Sequence, residues 1–363
     1  MKWRRRLRWF RAALLLLVIL MAIPVFYVET ACRAPSGIAT AHSLNVFNIT
    51  DAVYSRPTTN SVLSYPEWYI VYAYQDFAAV LHDGDESRFR YLASTKTYWT
   101  GLCAVNRVAS ADGASDPSEK AMLYIIGWSF TAEMAIKGAY ETTVGRLFAW
   151  MRGAGKSNED RFAVAVADDY AQFLGQKAWY EYYFWRQVSA LWGSTFDWSH
   201  PVRASERRFA LTLEWGVKAV YAKAIGGLAS LSPAPLQIQS VVGGLDDADR
   251  AAIPGIRVVK ELGDGKQLIE TPRYAAFTEI VQALAARNRP VLEIAGNDTI
   301  FATVLVPLDA HIDMDGVKPV FSDAIQSRPG WHRQGIQITV STLTKTIQEI
   351  GARGATLEHL YDY

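Results

Sequence analysis

The sequence predicts an α+β protein in three parts. They are an N-terminal membrane anchor helix, a mostly α-helical bundle domain, and a C-terminal ferredoxin-like α+β domain with a mixed or antiparallel sheet. Three observations predict it. A charge-free apolar run from Ala12 to Val28 follows a cluster of arginines. From Ser64 to about Leu231 apolar residues recur at helical spacing. Beyond a proline break, Ser230 to Pro235, the period changes to two. The parts are a basic tail over 1–11, an anchor over 12–28, an extended linker over 29–63, a helical domain over 64–231 and an α+β domain over 236–363. A chain of 363 residues exceeds what one hydrophobic core usually serves.

The anchor is read from its flanks. Arg4, Arg5, Arg6, Arg8 and Arg11 precede the run, and Trp9 and Tyr27 stand where interfacial aromatics collect. As a helix the run covers about 25 Å, the short end of a membrane span. Glu29 sits three residues before Cys32, where a lipoprotein signal needs an aliphatic residue, and Ala39-Thr40-Ala41 lies too far on for a cleavage site. The reading is an uncleaved signal anchor. Positive flanks stay inside, so the N-terminus is expected in the cytoplasm and the bulk of the chain in the periplasm, held at the inner (plasma) membrane. Cys32 and Cys103 suit that compartment as a disulfide candidate. Such a bridge would close a loop of about seventy residues and contribute about 4 kcal/mol in the chain-entropy model. The competing reading makes Cys103 a small buried apolar residue and leaves Cys32 free.

In the helical domain, "SYPE" at Ser64 and "DPSE" at Asp116 read as capping boxes with proline in the first turn. The helix from Pro117 would run about 50 Å unbroken, with Gly127, Gly138 and Gly145 as bends. "SNED" opens a third helix after Ser157, "KAWYEYYFWRQVSALW" is a fourth, and Glu206 starts a fifth. The fourth carries two aromatic stripes, one with Trp185 and Trp192, the other with Tyr180 and Phe184. Such a helix belongs at a bundle centre or faces the membrane interface, and the bundle centre is the expectation. Glu214, Lys218 and Lys223 lie inside the fifth helix and exclude it as a second span.

The α+β domain reads as strands at Leu236, Ile256 and Lys266, a helix after Thr271-Pro272, a hairpin across Gly296-Asn297-Asp298, then strand, helix and strand. "FTEIVQALAARNRPVLEI" from Phe277 aligns without gaps to "LTKTIQEIGARGATLEHL" from Leu343, a faint internal repeat.

Candidate chemistry is sparse. Asp309, His311, Asp313 and Asp315 alternate, and an extended backbone would point all four to one face as a metal site. His332 and His359 are possible contributors. As a calcium loop the segment is defective, with His311 at an oxygen position and Ser322 at the twelfth. "GAGKS" from Gly153 lacks the first P-loop glycine and reads as a linker, so no nucleotide is expected. The charges of "HDGDE" from His82 read as solvated, and Glu133, Lys137 and Glu141 as an exposed ladder. Motifs of the common hydrolases, zincins, di-iron, thioredoxin-like and dinucleotide enzymes are missing from the sequence. The net charge of +1 argues against nucleic acid as a partner. The expectation is a single-span extracytoplasmic protein acting as a non-catalytic binding or envelope assembly factor, with a protein or lipid partner and no cofactor. The alternatives are an extracytoplasmic enzyme using a divalent metal at the acidic loop, and a lipid-handling module.

Overall fold

The structure, a computed structural model, describes residues 2–35, 45–51, 54–112, 117–229, 236–310 and 312–363, with backbone alone at 2–7, 13, 14, 17, 228 and 229. It is a mixed α+β chain with two antiparallel sheets. The helical half comprises α1 (Lys2–Ala31), α2 (Thr59–Leu63), α3 (Tyr65–Asp83), α4 (Tyr91–Asp112), α5 (Pro117–Tyr140), α6 (Arg146–Arg152), α7 (Asn158–Leu174), α8 (Phe184–Gly193) and α9 (Pro201–Ala229). The α+β half runs β1 (Gln237–Gly243), α10 (Asp247–Ala252), β2 (Arg257–Gly263), β3 (Lys266–Pro272), α11 (Ala275–Ala286), β4 (Val291–Ile294), β5 (Thr299–Pro307), β6 (Val317–Ala324), β7 (Trp331–Thr339), α12 (Leu343–Ala352) and β8 (Thr356–Tyr361).

Among the described residues no helix is long and apolar enough to cross a membrane, so the expected anchor is not found as such. The charge-free run is shorter than a bilayer core of about 30 Å, and Pro24 lies within it. What is found is one continuous helix, α1, fastened to the body by its last turn. Cys32 and Cys103 are joined by a disulfide, with Cα atoms 5.1 Å apart. Asn106 donates to the Val28 and Cys32 carbonyls at 3.2 and 2.8 Å, closing the helix end that has no partners of its own. Lys120 and Tyr124 hold Glu29 at 3.1 and 2.6 Å.

Helix starts follow local chemistry where it is complete. Ser157 caps α7 in a reciprocal capping box with Asp160. Ser64 does not cap α3: its backbone is already helical, continuing α2, and its hydroxyl donates to the Ser61 carbonyl at 2.9 Å. Asp116 lies outside the described residues. The helix from Pro117 does reach Arg152, but through a π-helical turn at Glu141–Gly145. The expected fourth helix is shorter, because a 3₁₀ turn at Trp179–Glu181 precedes α8. Small residues set the α4–α5 spacing. A Cβ on Gly127 would lie 2.4 Å from the Tyr98 ring, and one on Gly138 2.8 Å from Tyr91 Cβ.

The α+β half departs from the ferredoxin-like expectation. It holds two four-stranded antiparallel sheets, ordered β2-β3-β1-β4 and β6-β7-β5-β8. The second order repeats the first strand for strand, so the half is two copies of one strand-strand-strand-helix-strand unit. The aligned segments from Phe277 and Leu343 fall on α11–β4 and α12–β8, equivalent places in the two copies. The expected hairpin at Gly296 instead passes the chain between sheets. Ala295 and Gly296 take left-handed backbone there, and the Asn297 amide donates to Arg56 and Ala295 carbonyls. The two helices lie side by side, with Gln348 donating to the Ala285 carbonyl at 2.7 Å.

One core unites sheet residues such as Ile238, Ile300 and Ile336 with Phe277, Leu284 and Leu343 of the helices. The opposite face of the second sheet offers Phe301 and Tyr361 to the helical core, where they meet Tyr65 and Phe321. Burial on both faces explains the largely apolar sequence of β5, within which the buried Thr303 hydroxyl meets Tyr361. The opposite face of the first sheet is covered by Phe47, Ile49 and Tyr54.

Replacing Gly127 with leucine should destabilise the fold by about 2–3 kcal/mol through overpacking against Tyr98. Gly193→Ala, where an added Cβ meets nothing within 4 Å, should be nearly neutral. Urea denaturation of both variants checks the contrast.

Candidate functional site

Helix α9 carries six ionisable residues between Arg203 and Lys218, and each faces inward and is ion-paired. The neighbour α5, with the π-helical turn that continues it, runs antiparallel and supplies complementary signs. Glu133 pairs with Lys218 at 2.7 Å, Lys137 with Glu214 at 2.8 Å and Glu141 with Arg207 at 3.0 Å. Arg203 reaches further, to Asp160 of α7, Glu206 and Glu86 at 2.8, 2.8 and 3.1 Å. The Gly145 carbonyl, at the end of the π-helical turn, also accepts from Arg203 at 3.2 Å. Arg152 closes the network on Asp160 and Asp85 at 2.6 and 3.0 Å. Beside it, Arg208 pairs with Glu159 at 2.9 Å.

Within the Arg203 network, guanidiniums of Arg152, Arg203 and Arg207 face carboxyls of Asp85, Glu86, Glu141, Asp160 and Glu206. Carboxyls outnumber cations, which favours the protonated form of a carboxyl in the network. Burial raises the Glu141 carboxyl to about 7, overcoming the attraction of Arg207. Burial works against Asp160 and Glu214 too, yet Arg203 holds the first at about 2 and Lys137 the second at about 2. A cavity of about 40 Å³ bordered by Tyr74, Tyr170, Glu214 and Lys218 adjoins these groups. That is room for little more than one water, and the carboxyls and guanidiniums of the layer engage one another.

With its charges turned in, the outer side of the pair is apolar. On α9, Val202, Phe209, Leu213, Val217 and Val220 are exposed. On α5 and α6, Met122, Ile125, Ile136, Leu147 and Trp150 are exposed. From Ala121 to Met151 the exposed residues include one charge, Arg146, and from Pro201 to Tyr221 none. This inverts the usual amphipathic pattern. Between α8 and α9 the surface sinks into a groove of about 910 Å³, walled by Trp185, Trp192, Phe209, Leu213 and Val217. Trp185 and Trp192 are each 57% exposed, so the expectation of a bundle centre fails for that stripe. Phe184, Val188 and Leu191 form the buried side of α8.

The acidic loop is elsewhere and open. Asp309, Asp313 and Asp315 are exposed, on turns and irregular backbone between β5 and β6, so the alternating extended geometry is not formed. His311 lies outside the described residues. Among the described residues no group of three or more His, Cys, Asp and Glu side chains is gathered as for a metal ion. His359 is buried against Trp68, with ring centroids 3.9 Å apart, and burial lowers its imidazole to about 3. Of the two charged segments read as solvated or exposed, His82 and Asp83 are exposed as expected, but two carboxylates are not. Glu86 is buried against Arg203 and Arg207, and Glu141 is buried on Arg207. The sign alternation Glu133, Lys137, Glu141 against Lys218, Glu214, Arg207 was the available signal. Comparison with protein-family models, curated proteins and solved structures gives no match to this chain.

Two outcomes test the network. Arg207→Ala removes the ion-pair partner of Glu141 and one of two cations from Glu86 and Glu206, and should cost about 3–5 kcal/mol in chemical denaturation. The folded state keeps a proton on Glu141 that the unfolded chain releases above its ordinary 4.5, so this group weakens folding as pH rises from about 4.5 to 7. Glu141→Gln should therefore gain stability relative to wild type across that window and hold a constant difference above it. The loss of Asp160 and Glu214 stabilisation below about pH 4 should persist in the variant.

Proposed function

We propose that the chain is a non-catalytic binding or assembly factor held at a bilayer by α1. Its N-terminal arginines lie on the cytoplasmic side, and the body lies outside the cytoplasm. The observation that carries this reading is the way α1 leaves the body. Only its last turn is fastened, while Trp9, Phe10, Leu15, Leu16, Ile19 and Phe26 are exposed. From Trp9 to Tyr27 the helix covers about 28 Å, close to a bilayer core, with Arg11 near enough to one end to snorkel. Apolar side chains in such a row gain about 25 cal/mol per Å² when removed from water, and a bilayer removes them on every side. A binding role fits the ionic chemistry, whose carboxyls and guanidiniums are engaged with one another beneath the surface.

Washing membranes that contain the full chain at pH 11 tests the reading. The wild type should stay with the membrane, and the double variant Ile19→Lys, Leu20→Lys should be released in large part. Release of the wild type by the wash would sink the proposal.

A further inference from the structure

We infer that the outer face of α5, α6 and α9, with the groove beside α8, lies against the surface of the same bilayer, as a second and broader membrane contact. The inference rests on the placement of α1 proposed above. Two features of the fold lead to it.

The first is the inverted polarity of the helix pair. A contiguous apolar surface extends about 42 Å along α5 and α6, from Met122 to Trp150, and about 33 Å along α9, from Val202 to Ala224. Soluble monomers rarely expose so large an apolar patch unless something covers it. Its bordering side chains suit a lipid interface. Trp150 is 77% exposed and Trp198 80%, Trp185 and Trp192 line the groove, and exposed Arg146, Arg186 and Lys223 can meet lipid phosphates. The rim of a partner-protein interface is instead polar. Here the exposed residues of α5 and α6 from Ala121 to Met151, and of α9 from Pro201 to Tyr221, include no carboxylate.

The second is continuity. The disulfide and the Glu29 contacts fix the end of α1 at Lys120 and Tyr124, on the first turns of α5. Met122 and Ile125, the first exposed apolar residues of the face, lie on those same turns. Tyr221 of α9 meets Ser129 one turn further, at 3.0 Å. A bilayer that holds α1 therefore begins where the face begins. In this arrangement the helical half lies on the lipid with its apolar side chains a few ångströms deep, and the groove opens to acyl chains of the adjacent leaflet.

The test places single cysteines at Leu213, Ile136 and Val259 in the full chain, leaving the native disulfide intact. Each is labelled with a fluorophore after reconstitution into phosphatidylcholine–phosphatidylglycerol vesicles. Brominated acyl chains should quench the Leu213 and Ile136 labels at least threefold more than the Val259 label on β2, and aqueous iodide should show the reverse order. Iodide access at Leu213 and Ile136, in protein that survives the alkaline wash, would overturn the surface contact and leave the anchor standing. Shielding of both labels from both quenchers would overturn it in favour of a second protein on the face. Protein lost from the vesicles in the wash would overturn both readings.

Discussion

The ion pairs between α9 and its neighbours hold the helical half in register. A buried guanidinium without a partner costs several kcal/mol, so Arg203 and Arg207 are tolerable only where Glu86, Glu141, Asp160 and Glu206 converge. The alternation of sign makes the arrangement selective. Sliding α9 along α5 by one helical turn would set Glu214 against Glu133 in one direction and Lys218 against Lys137 in the other. The glycines of α5 and the capping box of α7 then act within a frame whose alignment is already decided.

Placing the charges inside leaves apolar side chains to cover the outside. The α+β half follows the ordinary rule, with a common core of aliphatic residues between its sheets and helices. The helical half has an aromatic core on the side of α3 and α4, where it meets the second sheet, and an ionic layer between α5 and α9. Its outer surface is apolar because every side of α9 is in use: one for ions, one for packing through Leu211 and Trp215, one for whatever lies beyond the molecule.

Much of this was legible in the sequence, for physical reasons that can be named. The helix-to-strand change at Ser230 to Pro235 follows from the period of apolar residues, which solvent contrast enforces. The alignment of Phe277 with Leu343 marked equivalent helices because both bury the same face against like sheets. The sheet arrangement was not legible. Strand pairing depends on contacts between distant residues, and the left-handed turn at Ala295 and Gly296 serves a sheet crossing as well as it would serve a hairpin. Glu86 and Glu141 looked exposed because a carboxylate carries no mark of burial; only its partner's position decides, and Arg203 and Arg207 lie far along the chain. Trp185 and Trp192 looked internal because large aromatics usually are.

The seam between the halves has a bearing on how the chain is made. Tyr72 of α3 donates to or accepts from the Tyr361 hydroxyl across 289 positions of sequence, at 3.0 Å. Ser61 donates to the Tyr361 carbonyl and accepts from the Phe301 amide. At ordinary synthesis rates, about 15–60 s separate the appearance of these partners. Throughout that interval the tyrosine-lined flank of α3 has no sheet to lie against. The helical half is thus born with two apolar sides uncovered, and the second sheet closes one of them only when β8 has been made.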